Sequence, residues 1–116
     1  MKSYTSIEQA KKLAEILPLE SADMYYTPPL IKGHTDYIPH LKRKLPIDWD
    51  IEQATPCWSL AALFSMLPKS AYLEKGSSTE LCRVTLPVEL ISSDWNLEPI
   101  DACVEVILKL HKQKFL

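Results

Sequence analysis

Gln53-Ala-Thr-Pro-Cys-Trp-Ser-Leu-Ala-Ala-Leu-Phe-Ser-Met-Leu-Pro68 is a run of sixteen residues without a charge, held between Glu52 and Lys69, in a chain that is 24% charged overall. A segment of that composition belongs inside a core. Thr55 and Pro56 read as an N-cap and a first-turn proline, whose missing N–H has no intrahelical partner to lose, and Pro68 stops the element. The spacing therefore predicts a helix over Pro56–Leu67, with Cys57, Leu60, Ala61, Phe64 and Leu67 on one stripe and Trp58, Ala62 and Leu63 also apolar.

On its N-terminal side, Thr5 and Glu8 have the spacing of a capping box. Ile7, Ala10, Leu13, Ala14 and Leu17 follow at helical intervals, so a helix is expected from about Ser6 to Leu17, closed by Pro18. Between the two helices lies a proline-rich, irregular stretch, about 27–50. Met24-Tyr25-Tyr26 and Tyr37-Ile38 read as edge strands beside it, because the prolines around them cannot donate to a central ladder. A connection this long is where a binding surface is expected.

On the C-terminal side, Gly76-Ser-Ser-Thr79 separates two strand-like runs, which predicts a hairpin over about 71–86. Cys82, Val84, Leu86 and Val88 alternate onto one face, and a third strand is expected at about 88–92. The last helix starts at Pro99. Asp101, Glu105 and Lys109 form its only polar stripe before Leu110, so it should be buried on several sides. The elements describe a single α+β domain over 1–116, with three helices packed on one face of a small antiparallel sheet.

Composition narrows the function classes. A net charge of -2 and a pI near 5.9 provide no general field for phosphates, so nucleic-acid binding would need a local patch. No signal peptide or membrane span is read from the sequence, and the three scattered cysteines, Cys57, Cys82 and Cys103, suit a reducing, cytoplasmic setting better than a disulfide framework. With Gly33 and Gly76 as the only glycines, no phosphate-binding loop or dinucleotide fingerprint can form, and no cofactor is expected.

Few residues offer chemistry. Cys57, in the first turn of the expected helix, is the sharpest candidate for a reactive thiol. A buried structural cysteine is the stronger reading, since no spacing brings His34, His40 or His111 to it as a base. The cysteines and histidines also lack metal-ligand spacing, so no metal site is expected. Asp48, Asp50 and Glu52 could supply acid and base groups, but read better as a solvated loop. Lys42, Arg43 and Lys44, bracketed by Tyr37 and Trp49, form the one compact basic and aromatic cluster, and these five residues are the candidate binding site.

Thr5-Ser-Ile-Glu-Gln-Ala-Lys-Lys-Leu, Ser21-Ala-Asp-Met-Tyr, Pro56-Cys-Trp-Ser-Leu-Ala-Ala-Leu and Pro99-Ile-Asp-Ala-Cys-Val-Glu-Val together resemble a group of small uncharacterised proteins of gut Bacteroidales and their phages or mobile elements. The resemblance implies a genomic setting and brings no catalytic or binding residue with it. The reading that results is a non-enzymatic domain that binds a protein partner or itself. The thin polar stripe of the last helix motivates it, because apolar surface left over there would form an interface. A weak nucleic-acid-binding accessory protein using the 40–44 cluster and a small enzyme built on Cys57 are the alternatives.

Overall fold

The computed structural model describes residues 3–27, 38–41, 55–76 and 80–113. The elements run α1 (Ile7–Ala14), a 3-10 turn (Leu19–Ser21), β1 (Met24–Thr27), β2 (Ile38–Leu41), β3 (Thr55–Cys57), α2 (Leu60–Ser65), β4 (Tyr72–Lys75), β5 (Cys82–Leu86), β6 (Ile91–Ser92) and α3 (Pro99–Lys112). The class is α+β. Where the sequence suggests one sheet, the described residues form two antiparallel sheets of three strands, ordered β2-β1-β3 and β4-β5-β6.

The uncharged run is the largest departure from expectation. Its first part is not helix: Thr55–Cys57 is β3, paired with Met24–Tyr26, and α2 begins only at Leu60. Ser59 caps it. The Ser59 hydroxyl accepts the Ala62 N–H, while Asp23 accepts both the backbone N–H and the hydroxyl of Ser59. Pro56 is therefore a strand proline and not a first-turn proline.

β1 is central, not an edge, and the prolines explain how. Pro56 stands opposite Tyr25 on one side and Pro39 opposite Tyr26 on the other. A proline is tolerated there only if its nitrogen faces away from the ladder. Each proline thus blocks the outer side of its own strand, and β2 and β3 become the edges.

α1 also starts one residue later than expected. The capping box is Ser6 with Gln9, each side chain bonding the other's backbone N–H. Thr5 cannot serve because it is fully buried and its hydroxyl already accepts the Trp58 N–H. The Thr5 N–H in turn donates to the Trp58 carbonyl, and Leu60 N–H donates to Ser3, so the N-terminal segment lies alongside the β3–α2 junction.

The hairpin is where the sequence placed it. Tyr72 faces Thr85 and Lys75 faces Cys82, and Leu86 then pairs with Ile91 of the short third strand. Cys82, Val84, Leu86 and Ile91 are buried on the face that receives α3. Val88 does not continue that face: Pro87 ends the strand and 87–90 form the turn.

α3 is the core helix. Ile100, Ala102, Cys103, Val104, Val106, Ile107 and Leu110 are all buried, joined in one cluster by Leu13, Trp58, Leu63, Val84 and Leu86. Each large aliphatic side chain in that set contributes about 1.5–3 kcal/mol by leaving water.

The capping assignment is checked by chemical denaturation. Ser59→Ala removes the helix cap and one partner of Asp23, and should lower stability by about 1–2 kcal/mol. Thr55→Ala, at the position first read as the cap, should cost less than half of that.

Candidate interaction surface

The thin polar stripe of α3 is occupied from within the chain. Asp101 accepts a hydrogen bond from the Gln9 side chain of α1 at 2.8 Å. Glu105 accepts from the Asp94 N–H at 2.6 Å and from the Asn96 amide at 3.3 Å, and it pairs with Lys109 at 3.0 Å. Lys109 also donates to the Ser92 carbonyl at 2.8 Å. The apolar residues of α3 are buried apart from the half-buried Leu108, so the leftover apolar surface expected on this helix is largely covered by the chain's own elements.

Exposed apolar surface is concentrated elsewhere. Among the described residues, six of the nine exposed large hydrophobic side chains fall between positions 72 and 97: Tyr72, Leu73, Val88, Leu90, Trp95 and Leu97. They cluster on the β4-β5-β6 sheet and its connections. Directly opposed residues share a face in an antiparallel pair, so Tyr72 and Glu74 of β4 stand with Thr85 and Arg83 of β5 on the side away from α3. Trp95 joins that side because Cys82 and Asn96 exchange backbone hydrogen bonds, which lays the 94–97 segment along β5.

Arg83 organises this outer face. Its guanidinium lies 4.5 Å from the Trp95 ring centroid, and its Nε and Nη2 both reach Glu74 Oε1 at 2.6 Å. The Thr85 hydroxyl donates to the same oxygen at 3.0 Å. Those hydrogen bonds hold the Glu74 carboxyl below the usual carboxylate range. The result is a fixed arrangement of charge and aromatic surface open to solvent, in which Arg83 and Trp95 are of the types enriched at interface hot spots.

At the end of β5 the turn 87–90 is locally unfavourable. Leu90 has φ 57, the left-handed region that a β-carbon disfavours, and it is 91% exposed, with Val88 at 75%. Between them Glu89 has a buried carboxylate oxygen without a hydrogen-bond partner. Leaving such an oxygen unsatisfied costs about 1–3 kcal/mol.

The sequence-derived site residues fare differently. Tyr37, Lys42, Arg43, Lys44 and Trp49 lie outside the described residues, as do His34, Asp48, Asp50 and Glu52. Cys57 is described, and its setting opposes reactivity. It is in a strand, not at a helix N-terminus, and it is fully buried. Burial raises its thiol pKa, although hydrogen bonds from Thr5 and Tyr26 work the other way. Its sulfur accepts the Thr5 hydroxyl at 3.5 Å and donates to the Thr5 carbonyl, which also takes the Tyr26 hydroxyl at 2.5 Å. That is a packing network. Burial likewise pushes Cys103 up to about 12. Among the described residues no group of three or more His, Cys, Asp or Glu is placed to hold a metal, and no helix is long and apolar enough to cross a membrane.

No protein-family model matches the chain, and neither curated proteins nor solved structures give a match.

The α3 network has a defined pH response. Burial alone would raise Glu105, but Lys109, the Asp94 N–H and Asn96 outweigh it and the folded pKa is lowered from 4.5. A lowered carboxylate stabilises fully above its unfolded pKa, and that stability is lost as pH falls through the folded value. Glu105→Gln should therefore cost about 1–2 kcal/mol at pH 7, and the gap between the variant and native protein should close in urea titrations as the pH falls through the lowered folded value.

Proposed function

We propose that this chain is a non-enzymatic interaction domain that binds another protein through the outer face of the β4-β5-β6 sheet and the connections at its ends. The carrying observation is the group of exposed apolar side chains Tyr72, Val88, Leu90, Trp95 and Leu97 on or beside a sheet whose other face is closed by α3. Large exposed apolar patches mark interaction sites, whereas singly scattered apolar residues do not. Arg83 stacked on Trp95 supplies the preorganised anchor that such surfaces use, with little side-chain entropy left to lose on binding.

All three helices belong to the closed side in this reading. Leu13 of α1, Leu63 of α2 and Ile107 of α3 share one buried cluster with Val84 and Leu86, which supports packing toward the same face of the sheet. The three free, buried thiols suit a reducing compartment. A phage or mobile-element setting remains the genomic context in which a partner is sought.

Affinity capture from the source cell, followed by titration of the identified partner, tests the proposal. Trp95→Ala should weaken binding at least about tenfold with the circular dichroism unchanged. Binding that survives Trp95→Ala but is lost in the Lys42, Arg43 and Lys44 triple substitution moves the site to the basic cluster and defeats the sheet-face reading. A nucleic-acid ligand would show itself by affinity falling steeply with added salt.

The turn gives a second check. Asn tolerates the left-handed region that Leu90 occupies, so Leu90→Asn should stabilise the fold by roughly 0.5–1 kcal/mol. The same substitution should weaken partner binding, separating what the turn does for folding from what it does for recognition.

A further inference from the structure

Among the described residues β4 is an edge strand, and its hydrogen-bond parity can be read from the hairpin it closes. The Gly76 N–H donates to the Leu81 carbonyl, which makes that opposed pair a hydrogen-bonded one. Such pairs alternate along an antiparallel ladder, so Glu74 with Arg83 and Tyr72 with Thr85 are hydrogen-bonded as well. The far side of β5 agrees: Cys82 and Val84 direct their backbone groups the other way, to Asn96 and Ser93. The N–H and C=O groups of Leu73 and Lys75 therefore face outward, on the open edge of the sheet.

We propose that this edge pairs with the β4 of a second copy of the chain about a two-fold axis, in the register that sets Leu73 opposite its own symmetry mate. The inference rests on the same sheet as the function proposed above and names one of its partners. Self-pairing about a two-fold is antiparallel, and its hydrogen-bonded pairs must come from the outward-facing residues on both strands. That restricts the register to steps of two residues.

Charge then selects among the steps. Centring on Glu74 places two carboxylates face to face, and centring on Lys75 does the same with two ammonium groups. Centring on Tyr72 leaves half the strand unpaired and turns Lys75 toward Lys69 of the second copy. Centring on Leu73 avoids all three. The two leucines meet on the side of the sheet that faces α3, where Leu73 is exposed because it lies at the open edge of that layer. On the other side each Tyr72 stands opposite a Glu74, whose carboxylate stays bound to its own Arg83. Lys75 falls opposite Ala71, at the end of the pair, where its charge stays in water. The two three-stranded sheets become one of six strands.

Sedimentation and site-directed cross-linking test the arrangement. The native chain should pass from monomer to dimer between roughly 10 and 500 µM, and Leu73→Lys should weaken the dimer at least about tenfold by placing like charges on the axis. Hydrogen-bonded antiparallel partners lie about 5.5 Å apart at Cα, inside the span of about 4.4–6.8 Å that a disulfide bridges. Leu73→Cys should therefore form a covalent dimer with oxidised glutathione, while Lys75→Cys and the native chain, whose own thiols are buried, should not. A native chain that stays monomeric overturns the pairing, as does a Leu73→Lys variant that dimerises undiminished. Cross-linking through Lys75→Cys in place of Leu73→Cys overturns the register. Trp95→Ala should leave the dimer intact, so loss of dimer with retained partner binding, or the reverse, assigns failure to one proposal or the other.

Discussion

The exchange between Thr5 and Trp58 is the constraint on which the rest of the molecule depends. Trp58 donates its backbone N–H to the Thr5 hydroxyl and accepts the Thr5 N–H at its carbonyl, and its indole donates to Ser21 at 2.9 Å. Both residues are fully buried. Trp58 also stands between β3 and α2, so these bonds decide where the strand ends and the helix begins. The tryptophan ring belongs to the cluster around α3, whereas its neighbour Cys57 packs with Ala10 and Tyr26 in a smaller one. Two clusters thus meet at one peptide unit.

How much of this was legible in the sequence follows from how local each signal is. The hairpin and α3 were read correctly because alternation at Cys82, Val84 and Leu86 and a proline start at Pro99 are patterns within a few residues. The run 53–68 was misread for an equally physical reason. A buried strand followed by a buried helix has no polar punctuation, and Thr55-Pro56 fits an edge strand as well as a helix start. The capping box slipped by one because the hydroxyl of Thr5 is taken by a residue 53 positions away. No local pattern carries that information.

The candidate surface is less legible in the sequence than the fold. Arg83 and Trp95 meet only because the 94–97 segment lies along β5, a pairing invisible before the strands are placed. Val88 was assigned to the core by extending an alternation through Pro87, although a proline at that point was itself the sign that the strand had ended. The candidate residues named from composition, Tyr37, Lys42, Arg43, Lys44 and Trp49, share charge and aromaticity within one short stretch, whereas the exposed apolar side chains come from three separate ones.

The distribution of polar contacts argues that the open sheet face is a consequence of how α3 is buried. A helix covered on nearly every side must receive its few polar residues with partners from the elements that cover it, or leave charges desolvated. Asp101 is met from α1, and Glu105 and Lys109 are met from the 92–96 segment. The Glu105 contacts pull that segment over the end of α3, and the same segment carries Trp95 and Leu97 on its other side. With Trp95 held against Arg83 and Leu97 left 67% exposed, the chain closes its core and sets its apolar surface outward in one step. Core and surface are thereby coupled: loosening Glu105 from Asp94 releases the strip that presents Trp95. The placing of Trp95 on the outer face thus rests on hydrogen bonds to Glu105 on the opposite side of the sheet.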